Sequence, residues 1–140
     1  MKFVIAGTLF ALSFLVISPP AFGLDLKPGK YEITSKVEME GMPGAMPPQT
    51  YTQCITESAP VPDGSAAAQG CKITEMNTTA NKATYTMECD QQGVKVKSTG
   101  EIIYKGGSFE GTNTMKMGSS AGEMTITTKT TGKWIGQCKD

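Results

Sequence analysis

Four cysteines, Cys54, Cys71, Cys89 and Cys138, are the strongest chemical signal in this chain, and no histidine accompanies them. Zinc sites use closely spaced cysteines and histidines, and these spacings match no such pattern. A nucleophilic thiol or serine needs a base beside it, and the usual base at neutral pH is absent. An even set of cysteines in a small domain behind an export leader points instead to two disulfides. Cys54–Cys71 with Cys89–Cys138 is the favoured pairing, because it closes a long surface loop locally and ties the last strand back. Cys71–Cys89 with Cys54–Cys138 stands close behind it, because a hairpin can set Cys71 opposite Cys89.

A second kind of sulfur marks the stretch MEGMPGAMPPQT, where Met39, Met42 and Met46 sit among Gly and Pro residues that forbid a helix. Thioether sulfur is a soft ligand suited to Cu(I). The same residues could instead pack over an open end of the fold, as flexible methionines commonly do, or offer a pliable surface to a protein partner. Packing leads, because Met39, Met115, Met117 and Met124 all fall on the inner face of their expected strands. In a simple meander the Met39–Met46 loop shares an end with the Gly106–Gly107 turn, away from Met87, Met117 and Met124. The two methionine sets are then not expected to meet, unless the long loop Thr56–Gly70 reverses that order.

Other chemistries find little support. Thirteen basic residues balance thirteen acidic ones, and every basic residue is Lys. A neutral chain without Arg is a poor partner for nucleic acid. A carboxylate pair such as Glu32 with Glu101 falls on the expected solvent face, where charge is usually just solvated. The Gly-rich turns carry no phosphate-loop pattern leading into a helix. Asn77-Thr78-Thr79 matches a glycosylation sequon but reads more simply as the approach to a hairpin.

The elements that hold these residues begin after a leader. Lys2, an apolar run from Phe3 to Ile17, and the small-x-small exit Ala21-Phe22-Gly23 read as a secretory signal peptide over residues 1–23. Residues 24–140 then form one small exported domain, periplasmic or secreted, with no apolar stretch long enough to span a bilayer. Period-two alternation runs almost end to end. In KYEITSKVEME, Tyr31, Ile33, Val37 and Met39 share a face; Glu32, Thr34, Lys36 and Glu38 share the other. The fold class is all-β: an antiparallel meander of about seven or eight strands forming a small barrel or strongly curled sheet, tied by disulfides.

Turns set the register. KGGS (105–108) pairs Tyr104 with Phe109 and Gly100 with Asn113. GSSAGE (118–123) pairs Met117 with Met124 and Met115 with Ile126. DQQG (90–93) pairs Cys89 with Val94 and Tyr85 with Ser98. TANK (79–82) closes an earlier hairpin. Every pair joins inner to inner, which a slip of one residue would destroy. One inner row then contains only small or polar residues: Ala83, Gly100, Asn113 and Thr128. A bend at Gly, a loop laid over the row, or a ligand groove would each explain it.

The segments PGKYEIT, EMEGMPGAMPPQTYTQCIT, CKIT…YTMEC, GEIIYKGGSFEGTNTMKM and GKWIGQC together resemble the DUF3617 family of exported bacterial proteins. The resemblance implies a bacterial, periplasmic protein of unknown function, makes the methionine loop and the four cysteines part of the family pattern, and supplies no catalytic residue. The expectation is therefore a binding or interaction module rather than an enzyme. Its partner is a small apolar ligand or a protein, it needs no cofactor, and Cu(I) binding by Met39, Met42 and Met46 is the alternative.

Overall fold

Apolar–polar alternation becomes a single seven-stranded antiparallel sheet in the computed structural model, which describes residues 23–42, 46–62, 70–119 and 122–139. The expected leader, apart from Gly23, lies outside the described residues, as does most of the second half of the Thr56–Gly70 loop. The strands are β1 (Gly29–Met39), β2 (Gln49–Ile55), β3 (Cys71–Thr78), β4 (Lys82–Gln91), β5 (Val94–Tyr104), β6 (Ser108–Ser119) and β7 (Gly122–Gly136). They lie in the order β2-β1-β7-β6-β5-β4-β3 and curl into a half-barrel.

The last strand closes back on the first. β7 runs antiparallel to β1, with Met39 opposite Ile126 and Ile33 opposite Gly132. This placement overturns the expected separation of the methionines. A strand beside β7 must end where β7 begins, so Met39 shares an end of the sheet with Met117 and Met124, away from the Gly106–Gly107 turn.

Register follows the turn chemistry at three of the four hairpins. Tyr104 pairs with Phe109, Gly100 with Asn113, Met117 with Met124, and Thr79 closes on Lys82. The β4–β5 turn differs. Gln91 pairs with Val94 around Gln92 and Gly93, whose φ values of 55° and 85° suit a tight two-residue turn. The Asp90 side chain accepts the Gly93 N–H at 3.0 Å. Cys89 therefore faces Val96, and Tyr85 faces Gly100. The shift is two residues, so every side chain keeps its face while the rows change.

The core occupies one end of the inner face. Tyr31, Ile33, Ile102, Tyr104 and Phe109 are buried there with Ile55 and Ala83. At about 1.5–3 kcal/mol per buried large side chain, this cluster is the main source of stability. Leu24 and Leu26 pack on it, Leu26 bridging to Gly106, and Val61 is buried in the same cluster. Buried hydroxyls are satisfied: Tyr104 Oη donates to the Pro60 carbonyl at 2.6 Å, and Tyr31 Oη to that of Lys27 at 2.7 Å. Gly29, Gly100 and Gly132 each admit an aromatic side chain, the first that of Trp134. A Cβ at Gly132 would strike the Phe109 ring, and one at Gly100 would strike the Tyr85 ring.

The cysteines form two disulfides, Cys54–Cys138 and Cys71–Cys89. The favoured pairing of Cys54 with Cys71 is thus incorrect. β4 sets Cys89 directly opposite Cys71, with Cα atoms 3.9 Å apart, while the chain beyond β7 reaches back toward β2. Two bridges of this kind persist in oxidising surroundings.

Candidate functional site

Charge divides the sheet cleanly. Lys30, Glu32, Lys36 and Glu38 of β1 point away from the core, as do Lys95, Lys97 and Glu101 of β5 and Glu123, Lys129 and Lys133 of β7. The same holds in β3, β4 and β6, so no strand places a Lys, Asp or Glu on the core side. Ion pairs gather on the outer face, including Lys82–Glu101 at 3.0 Å and Lys129–Glu38 at 2.9 Å. Hydrogen bonds from Lys129 and then Lys36 hold the Glu38 carboxyl below its usual range.

The outer face also carries two open depressions. One, of about 490 Å³, is lined by Glu75, Thr86, Thr99, Glu101 and Thr114; the other, of about 540 Å³, by Lys36, Glu38, Glu40 and Thr127. Threonines dominate the first, while charged residues prevail in the second, which Met39 also borders; two of the carboxylates, Glu38 and Glu101, already pair with lysines. Glu32 and Glu101 are both outer, as expected, but β7 and β6 lie between their strands, so they form no pair. Among the described residues no three His, Cys, Asp or Glu gather to hold a metal ion.

The inner face beyond the core has a different character. Met39 does lie on the inner face, as expected, but no methionine belongs to the buried core cluster, so Met39 is half-buried and not part of the core. The core-forming end is filled by aromatic and branched residues, and Met39 lies at the far end of β1. Met39, Met87, Met115 and Met117 are half-buried, while Met76 and Met124 are exposed, at 41% and 38%. They line adjacent inner rows. Met39, Ile126, Met115, Ser98 and Met87 follow one another across the sheet, and Met124 with Met117 form the next row. Met42 folds back beside Met39, its N–H donating to the Met39 carbonyl at 3.1 Å. Met46 is exposed, and nothing described joins it to this group.

The proposed groove row is rearranged. Gly100, Asn113 and Thr128 do stand in one row, but Tyr85 completes it; Ala83 belongs to the next row, buried beside Ile102. The Tyr85 ring lies over Gly100, and its Oη accepts from Asn113 Nδ2 at 3.4 Å. Asn113 Nδ2 also reaches Ser98 Oγ at 3.2 Å. Burial pushes the Tyr85 phenol above its ordinary value. The small residues thus make room for an aromatic ring of this same chain. What sequence reasoning missed is the methionine end of the inner face. Its parity was readable, but its assembly depended on β1 lying beside β7.

Residues 26–138 match DUF3617, a family described as proteins of unknown function. The chain belongs to the DUF3617 family. No curated protein and no solved structure matches it. The DUF3617 match spans the whole sheet and both disulfides. Among the described residues no helix is long and apolar enough to cross a membrane.

Proposed function

We propose that this DUF3617 protein is an exported, periplasmic or secreted, binding module that holds an elongated apolar small molecule on its methionine-lined inner face. The observation that carries this reading is the pairing of an uncharged face with an end that no described residue covers. Core caps from Leu24–Leu26 and Val61 pack on the far half, whereas the methionine rows remain half-buried or exposed. Contiguous apolar surface outside a core is characteristic of a contact site. Methionine is flexible and polarisable, so it adapts to guests of varied shape. From β1 to β4 the methionine row crosses four inter-strand gaps, roughly 19 Å, which suits an extended chain better than a compact ring. An uncharged face disfavours a carboxylate or ammonium group on the guest, since neither is coordinated by thioether sulfur and no counter-charge offsets its desolvation.

The module is not an enzyme on this reading. The carboxylates of its strands are solvated or paired on the opposite face, and its tyrosines are committed to packing. The leader-like residues 1–23 and the two disulfides support export.

A neutral environment-sensitive dye, displaced by a long-chain alcohol, tests the assignment. The wild-type chain should bind the dye, and Met115→Lys should weaken binding at least tenfold, about 1.4 kcal/mol. Thr114→Lys, on the same strand but the opposite face, should leave it unchanged. Equal binding by all three proteins would remove the inner face from consideration.

A further inference from the structure

We propose that the corner formed by Met115, Met117 and Met124, with Met39 and Met42 beside it, binds a soft monovalent cation, Cu(I) or Ag(I), through thioether sulfur alone. Met117 and Met124 are direct cross-strand partners, a relationship that places Cα atoms about 4.5–5.5 Å apart. Met115 is two residues from Met117 on the same face, about 7 Å along the strand. It is diagonal to Met124, at about 7–8 Å. Met39 borders the same patch through Ile126, and Met42 folds back onto Met39. Each methionine has three rotatable bonds, so their sulfurs can converge on one ion without moving the backbone.

Two further observations point to this class of ion. The chain has no histidine, and its four cysteines are disulfide-bonded, so thioethers are its available soft donors. No strand carboxylate faces inward, so a divalent ion would stay uncompensated among neutral ligands, whereas a monovalent soft ion carries half that charge. The site also differs from the loop trio Met39, Met42 and Met46: three of its ligands come from β6 and β7, which hold them in fixed register. The inference shares a face with the proposed apolar guest but does not depend on it.

The test is an anaerobic titration of the intact chain with Cu(I) against a competing chelator, with Ag(I) as a redox-inert counterpart, followed by methionine methyl resonances. One equivalent should be retained, and the methyl signals of Met115, Met117 and Met124 should shift. The variant Met115→Leu/Met117→Leu/Met124→Leu conserves volume and apolarity. It should lose at least tenfold in metal affinity; the metal site is judged by the chelator titration alone and the apolar face by dye binding to the wild-type chain, so the two failures are distinguishable. Should the triple variant not fold, Met124→Leu alone, at an exposed position, should show the loss. No retention against the chelator, retention unchanged by the leucines, or methyl shifts confined to Met42 and Met46 would each overturn the proposal.

Discussion

Met39 of β1 and Met115 of β6 flank the same residue, Ile126 of β7, from opposite sides. They are far apart in sequence and become near neighbours only because the last strand inserts between the first and the sixth. That insertion turns scattered inner-facing methionines into one continuous patch, and the patch lies outside the buried core.

Tyr85 and Gly100 should be energetically coupled. A Cβ at Gly100 would fall within the Tyr85 ring, so Gly100→Ala should destabilise by about 1–3 kcal/mol through overpacking. In a Tyr85→Ala background the same substitution should be nearly free, giving an interaction energy of about 1 kcal/mol or more. Denaturant midpoints of the four proteins measure the cycle. Additive effects would mean that the ring does not occupy this row.

The two disulfides should contribute unequally. Cys54–Cys138 spans a sequence separation of 84 residues and Cys71–Cys89 one of 18. The chain-entropy model gives about 4.5 and about 3 kcal/mol respectively. Cys54→Ser/Cys138→Ser should therefore melt below Cys71→Ser/Cys89→Ser. Non-reducing peptide mapping should recover these two pairs and no Cys54–Cys71 peptide.

Stability should be nearly flat from pH 6 to 9 and fall only in strong alkali. The chain has no histidine and its cysteines are bonded, so the side-chain types that ordinarily titrate in that window are lacking. Burial raises the phenols of Tyr31, Tyr85 and Tyr104 above their ordinary value. A group whose folded pKa is raised stabilises fully below its unfolded value, here about pH 10, and that contribution is lost as pH rises toward the folded one. Tyr104→Phe should cost about 1 kcal/mol at neutral pH by deleting the bond to Pro60, and should shrink the alkaline loss. A stability step between pH 6 and 9 would contradict this assignment.

Much of the fold was legible because face parity has a period of two. Tyr31, Ile33, Ile102 and Phe109 could be placed inside from alternation alone, and Gly106-Gly107 fixed the pairing of Tyr104 with Phe109. The β4–β5 register was not legible. Gln92-Gly93 is an uncommon pair for a two-residue turn, since Gln must adopt a positive φ that Asn, Asp or Gly adopts more readily. That shift of two residues moved Ala83 out of the small row and put Tyr85 in it. The position of β1 was equally hidden, because strand order is decided by long-range closure and not by local pattern. The Cys54–Cys138 bridge and the methionine patch both follow from long-range pairing of that kind.

The most direct measurement is native mass spectrometry of the chain purified from the exported fraction without organic solvent. The wild-type protein should carry a bound apolar molecule that is absent from Met115→Lys, with both proteins melting within a few degrees of each other. A wild-type chain that carries no guest and gains no mass from added long-chain alcohol would contradict it, as would a guest retained equally by Met115→Lys.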